Sequence, residues 1–277
     1  MSEQTGEHRV MQAAAEAGHL VTPESVARDL RELGVQPGML LNVHSAMSKL
    51  GFVVGSAQTV VDGLLAALGP EGTLMMPTHS AQLSDPGNWQ NPPAPEVWWE
   101  QIRAEMPAYD PAHTPTRSMG AVPELFRTYP GVLRSAHPQV SHAAFGPLAA
   151  EIVAEHPLDC LFGDVSPIGK LYALDGWVLL LGVGHGNNTV LHLAEHRAEF
   201  PSKTTHLEGA PMVVAGQRRW QPFNPLQVSD DDFPAIGEAF ASTGGQVEGK
   251  VGSADVLLMR ARAVVDFATD WIGNNRQ

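Results

Sequence analysis

The stretch Gly176–His196, GWVLLLGVGHGNNTVLHLAEH, decides how the rest of the chain is read. Its first part, Gly176–Val183, is an almost unbroken apolar run of strand length, the pattern of a strand buried on both faces. The run passes into the turn-forming GHGNN and then, from Thr189, into a predicted helix. A buried strand that feeds a helix through a glycine-rich turn is a unit of α/β folds. On that helix Thr189, His192 and Glu195 fall three apart and share one side, while His196 sits four beyond His192.

Working outward, Thr22-Pro23-Glu24 reads as a helix start, with a capping hydroxyl, a proline at the first helical position and an acid in the first turn, and the helix stops at Gly34. Met39–Val43 is a short apolar strand. His44 and Ser45 lie at its carboxyl end, where open α/β sheets bind ligands. SAQTVVDGLLAALG, from Ser56, is a second capped helix closing on Gly69, and Thr73–Pro77 is the next strand. Strand, helix and strand in that order imply a parallel crossover. Residues 80–117, with many Pro and three Trp, break the rhythm, and an irregular insertion of this length reads as a lid or binding loop. Regularity returns with a helix in SMGAVPELFRTYPG, a strand at Gln139–Phe145 and a helix in PLAAEIVAEH. After residue 204 the pattern turns to hairpins, APMVVAGQRRWQPF with its turn at Gly216 and then VEGKVGSADVLLMRAR. A last helix, ARAVVDFATDWI, follows. The expected architecture is a single α/β domain over residues 1–277. It is a layered α/β/α sheet with a mostly parallel core, an irregular insertion at about 80–117 and a small C-terminal β-rich addition.

The 277 residues are 43% hydrophobic and 17% charged, an ordinary globular balance. The single cysteine, Cys160, excludes an internal disulfide framework and suits a reducing compartment. The opening MSEQTGEHRV lacks the basic and apolar regions of an export signal, and no apolar run is long enough to span a membrane. A cytoplasmic protein is expected, without nucleic-acid or membrane partners. The formal net charge of −13 argues against nucleic acid, whose affinity rests on lysine and arginine neutralising phosphates. It suits a small polycationic ligand, although acidity also serves solubility alone.

Imidazole as a side-chain type titrates close to neutral pH, so His192 is a candidate to take a proton from an attacking nucleophile. Glu195, one turn on, would orient the ring or hold a cationic substrate group. Thr189, near the positive helix end, is a candidate donor to a developing oxyanion. The same side of the helix also reads as a plain polar face beside solvent. A third reading takes His192-Leu193-Ala194-Glu195-His196 as the H-x-x-E-H of a zinc hydrolase, with His192 and His196 as ligands. His44, Ser45 and Ser48 form a possible ligand loop after the first strand. Arg117, with the helix-start amides that follow it, is a possible phosphate contact, or simply a solvated loop arginine.

In this order the pieces resemble the aminoglycoside 3-N-acetyltransferase family, antibiotic acetyltransferases unrelated in fold to the Gcn5-related type. The resembling residues are Val43-His44-Ser45, Arg117–Ala121, GVLRSAHPQVS from Gly131 to Ser141, Leu181-Gly182 and Thr189–Glu195. The resemblance covers about residues 22–260. It implies acetyl-CoA as donor, an amine of the 2-deoxystreptamine ring as acceptor and no metal. It makes His192 the general base with Glu195 as its partner and Thr189 beside them. It places cofactor contacts at His44, Ser45, Ser48, Thr116, Arg117, Ser118, Gly120 and Val122. Asn187, His185, Glu195 and Asp110 are the candidate contacts of the amine. One departure stands out: many resistance enzymes of the family carry an acid in the turn where this chain has Gly186 and Asn187. Another amine as acceptor, or non-catalytic binding of cationic antibiotics or polyamines, is compatible with that change. The oligomeric state is left open.

Overall fold

The computed structural model describes residues 11, 12, 15 and 20–277. The opening stretch read for an export signal lies outside the described residues.

Helix α1, Pro23–Leu33, starts as the sequence dictates. The Ser25 amide donates to Thr22 Oγ1 at 3.1 Å and the Thr22 amide to Ser25 Oγ at 2.9 Å, a reciprocal box that satisfies two helix-end donors. It ends where Gly34 takes a left-handed φ of 114°. Strand β1, Leu40–Ser45, helix α2, Ala57–Leu68, and strand β2, Thr73–Pro77, complete the predicted crossover. In the insertion the chain forms a short helix, α3, Trp99–Glu105. Then come α4, Ala121–Phe126, β3, Leu133–Arg134, β4, His142–Phe145, α5, Ala149–Val153, and α6, Pro167–Ala173. Strand β5, Trp177–Leu181, leads through a 3-10 turn at His185–Asn187 into α7, Leu191–Arg197. The last elements are β6, Glu208–Val214, β7, Gln217–Phe223, α8, Phe233–Ala241, β8, Gln246–Val251, β9, Ala254–Arg260, and α9, Ala261–Asn275.

Seven strands form one sheet in the order β3-β4-β2-β1-β5-β9-β8. The central β2, β1 and β5 are parallel, with Leu41 opposite both Leu74 and Trp177, and the strands outside them are antiparallel. The central strands are apolar on both faces because each face carries a helical layer. Val178 and Leu180 pack with Ile168, Leu191 and Val264 on one side. Leu179 and Leu181 pack with Leu30, Leu64 and Phe126 on the other. At about 1.5–3 kcal/mol for each large aliphatic side chain removed from water, these two cores hold the α/β/α layers together.

The two C-terminal hairpins have different fates. β6 and β7 form a separate two-stranded sheet joined at Ala215 (φ 50°) and Gly216 (φ 77°), a turn whose twist suits a hairpin. β8 and β9 instead extend the main sheet, because Val256 and Leu258 cover the same face as Leu179 and Leu181 and β9 pairs antiparallel with β5. The small β-rich addition is therefore the first hairpin alone. That hairpin holds the insertion down: the Tyr109 amide donates to the Pro211 carbonyl at 2.9 Å, and the Asp85 amide to Glu208 Oε1 at 2.6 Å. Among the described residues no helix is long and apolar enough to cross a membrane.

Candidate active site

The carboxyl ends of β1, β2 and β5 open into one cavity of about 390 Å³, the position that a parallel core favours for ligands. His44 and Ser45 come from β1, His79 from the segment after β2, and Asn187 and Thr189 from the turn after β5. His192 enters from α7, and Ser118 and Met119 from the segment before α4.

His192 lies between two aromatic rings. Phe162 stacks on it with centroids 4.6 Å apart and planes 18° apart, and Phe233 closes the other side at 4.8 Å. Its Nδ1–H donates to Glu195 Oε2. A carboxylate can only accept, so Nδ1 carries the hydrogen, and in the neutral ring the lone pair is on Nε2. Glu195 is 0% exposed, and its Oε1 accepts from the Ser229 amide at 2.9 Å and from Arg276 Nη1.

The histidines around this pair are neutral. Burial, with the nearby His192 adding to it, pushes His44 down to about 3. Burial and then His44 push His79 to about 3. The Asn42 side-chain amide donates to His44 Nε2 at 3.1 Å, and Thr189 Oγ1 lies 3.4 Å from the same nitrogen. Ser45 Oγ and His79 Nε2 are buried without a protein partner. Behind this wall His79 meets His142 edge-on at 5.3 Å. His156 Nε2 donates to the Leu161 carbonyl at 2.8 Å and so braces the loop that carries Phe162.

His196, one turn on, has a different partner. Its Nε2 accepts from the Phe162 amide at 3.4 Å, and burial pushes it down to about 4. Among the described residues no three His, Cys, Asp or Glu side chains converge as a metal site. Within the H-x-x-E-H letters, His192 is engaged with Glu195 and His196 with the Phe162 amide.

A family model described as aminoglycoside 3-N-acetyltransferase matches residues 43–273. The chain belongs to that family. It is 44% identical over 255 residues to the SPbeta prophage-derived aminoglycoside N(3')-acetyltransferase-like protein YokD of Bacillus subtilis (strain 168), covering 92% of this chain and 93% of the relative. It is 37% identical over 275 residues to aminoglycoside N(3)-acetyltransferase IX of Micromonospora chalcea, covering 92% and 95%. The crystal structure of YokD superposes with a TM-score of 0.89 at 43% identity, over 92% of this chain and 94% of that one. AAC-IIIb in a binary complex with CoASH gives 0.82 at 31% identity, over 91% and 96%. AAC-VIa bound to sisomicin gives 0.84 at 31%, over 92% and 98%.

Within this member of the family, the structure brings His44, Ser45, Ser118, Asn187, Thr189 and His192 to one cavity. Thr189 reaches it from the turn, since α7 begins only at Leu191. The other candidates are placed differently. Glu195 is buried behind His192, with Oε2 accepting from the ring and Oε1 from the Ser229 amide, so neither oxygen is exposed to an amine. His185 faces away: its Nε2 lies 2.9 Å from Gln246 Oε1, and its ring packs against Gly237. Asp110 is an exposed residue of the insertion, 3.0 Å from His113 Nδ1, and lines a different groove. Val122 is 1% exposed in the core. Thr116 is tied by its amide and hydroxyl to Glu124 Oε2 at 2.8 and 2.7 Å. Ser48 is exposed and outside the cavity wall. Gly120, at φ 86°, serves as the cap of α4. The Arg117 amide donates to the His79 carbonyl at 2.8 Å, and Arg117 itself lines a neighbouring cavity of about 460 Å³ with Trp89 and Trp98.

Sequence reading missed His79, Phe162, Phe233, Asp230 and Arg276. His79 was within reach, because it follows β2 just as His44-Ser45 closes β1. Asp230, exposed at the cavity, supplies an acid near the turn that lacks one.

Proposed function

We propose that the chain moves the acetyl group of acetyl-CoA directly to the 3-amino group of a 2-deoxystreptamine aminoglycoside, with His192 as general base. The observation that carries this reading is the His192–Glu195 pair in the cavity wall. An imidazole whose Nδ1–H is held by a buried carboxylate keeps its Nε2 lone pair for a proton on the ligand. Family membership and the CoASH and sisomicin complexes of related enzymes support the donor and acceptor.

In the reaction the amine nitrogen attacks the thioester carbonyl carbon while His192 Nε2 takes the proton that nitrogen loses. The carbonyl electrons move to oxygen, for which Thr189 Oγ1 in the cavity wall is a candidate donor. Collapse of the adduct breaks the C–S bond. The departing thiolate takes the proton back from the imidazolium, leaving an amide and CoASH. No acyl-enzyme is required when both substrates are bound together.

The residues fit a CoA thioester on one wall and a cation on the other. Ser45 Oγ is a buried hydroxyl with no protein partner, and Ser118 and Met119 lie beside it. Arg117 is next to Ser118 in the chain and lines the cavity with Trp89 and Trp98, where its cation suits the phosphates of the donor. Asn187 and the carboxylate of Asp230 face the same central cavity and suit an ammonium-rich acceptor. The chain is taken as one transferase unit, since both cores lie on the sheet that carries the cavity. Replacing His192 by Ala tests the reading: kcat for thiol release falls about a hundredfold or more, the usual share of a general base. Near-normal turnover in a folded His192→Ala protein removes His192 from the mechanism.

A further inference from the structure

Arg276 follows α9, far from His192 in sequence, yet its guanidinium is built into the back of the catalytic pair. Its Nη1 donates to Glu195 Oε1. Its Nε and Nη2 grip Asp232 at 2.7 and 2.6 Å, and Nη2 also donates to the Ser229 carbonyl at 2.9 Å. The side chain is 14% exposed, and its guanidinium lies 5.5 Å from the Phe200 ring centroid. The grip on Asp232 is of the forked, planar kind that a lysine does not reproduce, whereas the positive charge facing Glu195 Oε1 is one that a lysine can keep.

This arrangement divides the Glu195 carboxylate. Oε2 serves His192, while Oε1 is held by Arg276 and by the Ser229 amide. A buried carboxylate facing His192 alone would favour the imidazolium, and a protonated His192 cannot act as a base. A fixed positive charge on the far oxygen offsets that pull. The other ionisable groups around the ring do not do this. His44 and His79 face it from the ends of β1 and β2, both neutral. His196 lies behind it on α7 and is also pushed down, with Lys203 Nζ donating to its backbone carbonyl at 3.0 Å. Asp230 lies at the cavity and Asp232 is already paired with Arg276.

We propose that Arg276 is a positioning residue for the transfer: it locks Glu195 in register and keeps His192 unprotonated at working pH. The proposal rests on the reading of His192 as the base, and the test separates the two. The pH profile of kcat/KM is measured for the full chain and for Arg276→Gln, Arg276→Lys and His192→Gln, with ¹⁵N-histidine spectra of His192 alongside. Arg276→Met, which keeps an apolar stem over Phe200, replaces the Gln variant if that one does not fold.

The expected result is an acid limb displaced to higher pH by roughly one unit in the neutral variant, an approximately tenfold loss of rate below the limb. KM for both substrates stays within about twofold, as expected of a group that touches neither. The ¹⁵N signals of His192 show imidazolium persisting to higher pH, and Arg276→Lys lies close to the parent limb. A folded neutral variant whose limb and spectra coincide with the parent overturns the proposal, and so does an equal shift in the Lys and neutral variants. A His192→Gln protein that retains the parent rate and limb removes the base itself, whatever Arg276 does.

Discussion

At the scale of single residues the site depends on which atoms are already committed. Glu195 has both oxygens engaged and lies behind the ring, so the acid that meets a cationic acceptor must come from elsewhere, and Asp230 is the exposed carboxylate at the cavity. Asp230→Asn should raise KM for the aminoglycoside about twofold to fivefold, the range of an exposed ion pair, with KM for acetyl-CoA unchanged. An unchanged acceptor KM in steady-state assays would move amine recognition to another wall. His192 and Glu195 were legible in the sequence because a three-residue helical spacing is a local property. Phe162, Phe233 and Arg276 were not, because each reaches His192 or Glu195 from a segment distant in the chain, and no local pattern marks such a contact.

At the scale of elements, the site is assembled by loops that other elements hold in place. The turn before α7 is fixed partly by His185, which packs on α8 at Gly237. A Cβ there would lie 2.3 Å from the His185 ring. Gly237→Ala should therefore destabilise the fold by about 1–3 kcal/mol through overpacking, read as a lowered Tm. A Tm equal to the parent's would show that the turn yields freely. The insertion has its own chemistry. Arg117 sits beside Trp89 and Trp98, one residue from the central cavity, so Arg117→Ala should raise KM for acetyl-CoA more than KM for the acceptor. The reverse pattern would assign this segment to the amine. Strand and helix identities were readable from apolar runs and caps, as Thr22 and Gly34 illustrate at α1. The placement of β8–β9 was not. A hairpin in sequence looks the same whether it stands alone, as β6–β7 does, or joins a sheet edge, and only the apolar face shared with β5 decides.

At the scale of the whole molecule, the buried imidazoles link stability to pH. His44 and His79 at about 3 and His137 at about 4 lie below the ordinary histidine value because burial disfavours the charged form; His142 and His156 are pushed down for the same reason. The unfolded chain binds these protons first, so stability is complete above the ordinary histidine range and is lost as pH falls through it toward about 4. At pH 5 His44, His79 and His137 each remove about 2 kcal/mol, and Tm should drop steeply between pH 7 and pH 5. A flat Tm over that window would mean that the imidazoles are hydrated or charged in the fold. The net charge of −13 also predicts that salt weakens acceptor binding by screening exposed carboxylates. The central claim, direct transfer from acetyl-CoA to the 3-amino group through His192, is tested most directly by initial rates of thiol release with both substrates varied. The purified protein is assayed with acetyl-CoA and a 2-deoxystreptamine aminoglycoside such as sisomicin, and the acetylated position is identified on the product. The account predicts release only when both substrates are present, intersecting rate lines and a 3-N-acetyl product; parallel lines with acetyl found on the protein, or no release with any 2-deoxystreptamine acceptor, would contradict it.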